Sequence, residues 1–196
     1  ISALDPTGLT QYVPGAGRFR IYTVTGDLPS KSRAAWRLEV GGLVRESLRL
    51  TFTDLTEMAP TSLTADFQCV TGWRVEDVPW RGVRLADLLD RAGASERGTH
   101  VRFTSFDGAY TETLTMAQAR RPDVLVAYQM EGKAITTAHG GPVRLLVVPM
   151  YGYKSIKWLS GIDAVRTVEP GYWENLGYDV DAWIGSSNGR SDDPNV

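Results

Sequence analysis

Apolar and polar residues alternate through WRLEVGGLV (36–44) and stop at Gly41–Gly42, which predicts a strand running into a turn. HVRFTSF (100–106) alternates in the same way and predicts a second strand. In RLADLLDRAG (84–93) the apolar positions recur every three or four residues and end at Gly93, the pattern of a short helix with a glycine stop. TFTDLTEM (51–58) predicts another short helix, capped by Thr51 or Thr53 and halted by Pro60. TMAQARRP (115–122) predicts a third. VLVAYQM (124–130) and VRLLVVPM (143–150) are nearly continuous apolar runs rich in β-branched residues, so they read as buried strands. EGK (131–133) is a turn, and GIDAVRTVE (161–169) a further strand.

Predicted strands outnumber helices, the helices are short, and no regular strand–helix–strand rhythm links them. That predicts a mixed, strand-rich α+β domain with short inserted helices, not a doubly wound nucleotide fold. No GxGxxG follows a strand, and no GxxxxGK[ST] occurs. Without a repeat or a low-complexity linker, residues 1–196 form one expected domain. Residues 1–18 are rich in Gly and Pro and read as an irregular opening segment; 188–196 read as a polar, frayed tail.

Composition narrows the function classes. A net charge of −2 and mixed charge signs leave no basic field for nucleic acid. No apolar run approaches the roughly 18 residues that span a membrane. One cysteine forms no internal disulfide, and no CxxC or Cys/His cluster offers a structural zinc site. The chain opens on Ile, so the expectation is a processed chain or a piece of a longer one, with any leader or membrane anchor outside it.

That cysteine, Cys69, sits in DFQCVTGWRVEDVPWRGVRLADLL (66–89), just before the turn pair Thr71–Gly72. A lone cysteine is most often a small buried hydrophobe. A loop position instead exposes a thiol to chemistry. A nucleophile needs a histidine base, and His100 and His139 are the only two, neither in a protease-like context. A further role open to a loop thiolate is as ligand to a soft metal.

CVTGW followed by VPWRGVRLADLL resembles the molybdenum-ligating loop of the sulfite oxidase family, in its bacterial molybdopterin-binding oxidoreductase branch. HGGPVRLLVVPMYGYKSIKWL (139–159) resembles the family's second block, and FRIYTVTGDLP (19–29) its opening segment. The likeness spans about residues 18–180. It implies a sulfite-oxidase-type fold, a molybdenum–molybdopterin cofactor and oxygen-atom transfer.

The resemblance also implies roles. Cys69 is the metal-ligating thiolate. Arg144 and His139 contact the pterin and its phosphate, and Lys157 adds charge from a turn whose Ser155 and Ile156 N–H groups cradle that phosphate. Thr104, Ile21, Tyr22 and Arg18 are further cofactor contacts. Arg74 would hold an anionic substrate, and Tyr178, ahead of Tyr172, would donate to a developing oxyanion. Taken singly, Arg74 also fits a strand-edge ion pair with Glu76 or Asp77, Arg144 a surface salt bridge, Lys157 a solvated lysine, and Tyr178 an aromatic packing role. Two departures remove positive charge: Trp73 stands where sulfite oxidases have arginine, and Val24-Thr25-Gly26 replaces an Arg-Asn-His run. The implied partners are a small substrate and a one-electron carrier, either a haem protein or a membrane quinone chain. The opening segment resembles one that joins membrane helices to this domain in some relatives, which implies an extracytoplasmic domain anchored from outside this chain; a cytoplasmic place is the alternative. Three rival readings stay open: reduction of S-oxides or N-oxides, as in methionine-sulfoxide-reducing relatives, a cofactor-holding electron-transfer module, and a metal-free binding domain.

Overall fold

The computed structural model describes residues 10–11 and 18–189. Most of the expected irregular opening and the last seven residues of the expected tail lie outside the described residues.

Two five-stranded sheets carry the fold. In the first, β5 (Thr61–Gln68) pairs with β6 (Arg74–Arg84), and β6 with β9 (Val124–Met130). The far side of β9 is shared by β10 (Lys133–Ala134) and β11 (Arg144–Val147). In the second, the order is β4 (Leu48–Thr51), β3 (Arg37–Gly42), β12 (Leu159–Val165), β7 (His100–Ser105), β8 (Thr111–Thr115). Only β3 and β12 run parallel, with Ile162 opposite Val40; the other neighbours are antiparallel. A short ribbon joins β1 (Thr10–Gln11) to β2 (Ile21–Tyr22).

The nearly unbroken apolar run of β9 has a simple cause: both of its faces are covered. Val124, Val126 and Tyr128 enter the main core with Trp36, Phe103 and Ile162. Leu125, Ala127 and Met130 face a second core with Phe19, Ile21, Val78 and Trp80. Strands covered on both faces lose the polar half of their alternation. Gly82 lets β6 meet β9 closely at a bulge, since a Cβ there would lie 2.4 Å from the Val126 carbonyl oxygen.

The helices are short, as expected. α1 (Phe52–Glu57) starts at Thr51, whose hydroxyl accepts from the Asp54 N–H while the Asp54 carboxylate accepts from Thr51 N–H. α2 (Leu85–Ala92) ends at Gly93 in the left-handed conformation and buries Leu85, Leu88 and Leu89. α3 is only Met116–Ala119, shorter than the expected 115–122. Pro122 explains part of this, because the residue before proline is driven out of helical geometry. The strand expected at 161–169 begins at Leu159 and stops at Val165, opposite His100, where β7 begins. The expected strand at 143–150 ends at Val147. β4, β5, β6 and β8 are additions to the sequence reading: Thr-rich β5 and the charged, Pro79-bearing β6 carry too little alternation to stand out. Among the described residues no helix is long and apolar enough to cross a membrane.

Candidate functional site

The β5–β6 hairpin is closed by residues 69–73. Cys69 N–H donates to the Trp73 carbonyl (2.9 Å) and Gly72 N–H donates back to the Cys69 carbonyl (3.0 Å). This tight loop lifts the thiol off the sheet to half-exposure, where the Thr71 hydroxyl lies 3.2 Å from Sγ. Cys69 is therefore a loop thiol on the wall of a cavity and not a sealed core residue.

The cavity lies between this hairpin loop, residues 19–24, and the segment from His139 through Trp158. Counted out to open solvent, the space between its walls is about 1080 Å³. One wall is aromatic. Phe19, Phe67 and Trp73 pack at 5.6–6.2 Å between ring centres, and Trp73 stacks on Tyr22 with its indole N–H donating to the Tyr22 hydroxyl (3.3 Å). The sequence placed Cys69 among aromatics because they build its wall.

Two cations adjoin it. Arg144, at the start of β11, is 4% exposed. Its guanidinium donates to the carbonyls of His139 (2.8 Å), Ser155 (2.8 Å) and Leu145 (3.4 Å), and lies over the Phe67 and Trp80 rings. Lys157 is half-buried; its ammonium donates to the Tyr22 carbonyl and sits over Trp158. Burial lowers the Arg144 pKa to about 10. Burial and then the Arg144 charge lower the Lys157 pKa to about 7. Among the described residues neither cation forms a salt bridge to a carboxylate. Desolvated, carboxylate-free cations facing one cavity favour an anion such as phosphate.

The local backbone serves this arrangement. Gly140, at φ +94°, lets Lys157 pass close behind it, since a Cβ there would sit 2.6 Å from Lys157 Cβ. The Ser155 and Ile156 N–H groups donate within their own turn, to the Gly152 and Lys154 carbonyls. The expected backbone cradle at 155–156 is thus spent on closing the turn. The Ser155 hydroxyl accepts from Val147 N–H (2.9 Å), which locks this turn to β11.

Of the residues expected from sequence, the structure brings Ile21, Tyr22, Cys69, His139, Arg144, Ser155, Ile156, Lys157 and Tyr178 to the cavity. His139 is buried and edge-on to Phe19 at 4.9 Å. Tyr178 stands between Trp173 (5.2 Å) and Tyr153 (5.5 Å), whereas Tyr172, off the cavity lining, stacks on Tyr110. Three residues are not brought there. Arg74 lies along the hairpin, donating to the Gln68 side chain (3.1 Å) and paired with Asp66 at 3.5 Å. Thr104 faces a shallow depression beside Ser160 and Glu39. Arg18 is exposed, donating to the Glu76 carbonyl.

Sequence reasoning missed Thr23, Asp107, Tyr110, Tyr153 and Trp173 on the lining. Thr23 is 3% exposed, and its hydroxyl has no hydrogen-bond partner among the described residues. A buried hydroxyl without a partner on a cavity wall is costly unless a ligand completes it. Asp-Gly at 107–108 followed by Tyr110 was the one sequence signal, a turn presenting an aromatic.

A molybdenum–molybdopterin group fits this donor set. The thiol supplies one soft ligand, and the two cations suit the phosphate of the pterin. Among the described residues no three His, Cys, Asp or Glu converge on a metal position.

The family model described as oxidoreductase molybdopterin binding domain matches residues 25–173. The chain is similar to the uncharacterized oxidoreductase YuiH of Bacillus subtilis, at 35% identity over 162 residues, 81% of each chain. It is 28% identical to the sulfite oxidase of Arabidopsis thaliana, over 74% of this chain and 45% of that one. It is 30% identical to a protein-methionine-sulfoxide reductase catalytic subunit, MsrP of Gluconobacter oxydans, over 81% of this chain and 56% of that one. The chain thus spans about half the length of the last two.

Proposed function

The chain belongs to the family of molybdopterin-binding oxidoreductase domains, whose cofactor is molybdenum–molybdopterin, and from that premise we propose that it is an oxygen-atom-transfer catalytic domain. The observation that carries the reading is the convergence on one cavity of a loop thiol, the buried Arg144 and the half-buried Lys157, neither cation in a salt bridge among the described residues.

Cys69, as thiolate, is the protein ligand to the metal; it must lose its proton to bind. Arg144 and Lys157 hold the phosphate, and Thr23 donates its hydroxyl to the cofactor. Ile21, Tyr22, His139, Ser155 and Ile156 shape the pterin walls. The bound molybdenum centre supplies two-electron oxygen-atom transfer, with electrons exchanged singly with a haem protein or a membrane quinone chain. Tyr178 donates a hydrogen bond to the substrate oxygen without carrying charge. Residues 1–196 act as one such domain, placed outside the cytoplasm and anchored from beyond this chain.

One observation favours S-oxide or N-oxide reduction over sulfite oxidation. Trp73, Tyr153, Trp173 and Tyr178 wall the cavity, while Arg74 is held along the hairpin by Asp66 and Gln68. That wall suits a neutral oxide better than a sulfite dianion.

The test is protein made in a host that synthesises the cofactor. Molybdenum analysis should give one metal per chain. Turnover with a sulfoxide and reduced viologen should exceed turnover with sulfite and ferricyanide; the reverse ranking returns the substrate to sulfite. Metal without either activity marks an electron-transfer module, and absence of metal overturns the assignment.

A further inference from the structure

Behind the cavity lies a cluster that no ligand role above uses. Lys154 is 0% exposed, and its ammonium lies 2.7 Å from a Glu112 carboxylate oxygen and 2.5 Å from a Glu174 one. Glu112 is 0% exposed and Glu174 is 9% exposed. The three come from separate places: β8, the turn Gly152–Lys154, and the turn Glu174–Leu176.

Their chain neighbours face the cavity. Lys154 follows Tyr153, which lines it; Glu174 follows Trp173 and precedes Tyr178, which also line it. Glu112 is two residues beyond Tyr110, another lining residue, whose hydroxyl donates to the Tyr153 carbonyl (2.6 Å). The stretch 170–178 contains no strand, only turns and one short 3-10 helix. Backbone bonds tie it to β8 through Tyr172 N–H and the Thr111 carbonyl. Gly171 packs so tightly there that a Cβ would lie 2.6 Å from Glu174 Oε2.

We propose that Glu112, Lys154 and Glu174 are an ionic latch that pins 170–178, with Trp173 and Tyr178, as part of the cavity wall. They are positioning residues, acting through Tyr178; this last step rests on the substrate-facing role proposed for that tyrosine. A buried ion triad is seldom the most stabilising way to fill a core, and apolar residues of similar size often do as well. What the triad adds is direction: one ammonium bonded to two fixed carboxylates sets the relative position of two irregular segments. Two acids against one base in a dry site also favour one retained proton, and burial, then the Glu174 charge, raise the Glu112 pKa against the opposing pull of Lys154.

The experiment uses Glu112→Leu/Lys154→Met/Glu174→Leu, which removes all three charges together and leaves none stranded, beside Glu174→Gln, whose amide stands in for a protonated carboxyl. Hydrogen exchange is read without cofactor. In the triple variant the amides of 171–178 should exchange at least about tenfold faster, with β3 and β12 unchanged. Glu174→Gln should keep wild-type exchange. In the loaded enzyme the triple variant should raise KM more than it lowers kcat. Adding Tyr178→Phe to it should cost less than in the wild type, the non-additivity expected of groups acting through one another. Unchanged exchange at 171–178, or equally faster exchange everywhere, overturns the latch. If exchange responds locally but the loaded protein turns over neither substrate, the latch stands and the functional reading fails. If the Tyr178→Phe effect is additive, the latch does not act through Tyr178 and the positioning role is overturned.

Discussion

Cys69 is decided by its surroundings at the scale of a few atoms. A five-residue loop lifts it to the cavity, and Thr71 directs a hydroxyl at its sulfur. Cys69→Ser keeps that loop, so the fold should survive with an unchanged melting temperature while turnover is lost; wild-type turnover would refute the ligand role. Lys157 carries a pH signature. Its pKa of about 7 lies far below the ordinary lysine value. In the cofactor-free chain, folding therefore releases a proton between about 7 and the ordinary lysine range. This group's contribution to stability rises with pH across that window and is absent below it. Phosphate binding reverses the bias, because it requires the ammonium. Cofactor affinity should fall as pH rises above 7, and Lys157→Arg should flatten that profile. Lys157→Met should weaken binding by ~1.5–3 kcal/mol, the range for hydrogen bonds to charged groups, read by cofactor release.

At the scale of elements, caps and close approaches carry the argument. The Thr51 capping box fixes α1, and Thr51→Ala should cost ~1 kcal/mol in a denaturant melt. Gly140 is different in kind, because its φ of +94° and its contact with Lys157 join backbone to site. Gly140→Ala should cost roughly 1–3 kcal/mol and weaken cofactor retention as well, read by metal content after dialysis. The capped helices and alternating strands were legible in the sequence because each is written in neighbouring residues. β5 and β6 were not, since Thr, Asp, Glu and Arg interrupt their apolar positions, and only the pairing of β5 with β6 and of β6 with β9 makes them strands.

For the whole molecule the governing fact is a sheet covered on both faces. The main core lies between the sheets; the second underlies the cavity and includes Phe19, Ile21 and Leu146. Leu89 belongs to the first and Leu146 to the second. Either Leu→Ala change should cost ~2–5 kcal/mol, but only Leu146→Ala should also loosen the cofactor, measured as faster loss of molybdenum at equal residual stability.

The sequence alone determined the strand-rich α+β class, the caps and stops of the helices, and nine of the residues that line the candidate site. Cys69, His139, Arg144 and Lys157 lie in long, ordered motifs, and their spacing is conserved in space because rigid strands and a tight turn separate them. Only the tertiary structure decided which residues face inward together. It drew Thr23, Tyr110 and Trp173 to the cavity, turned Arg74 toward Asp66, and closed Lys154 between Glu112 and Glu174. The physical reason is that such contacts depend on sheet pairing and on side-chain direction across distant segments. Neither quantity is written in any local stretch of residues.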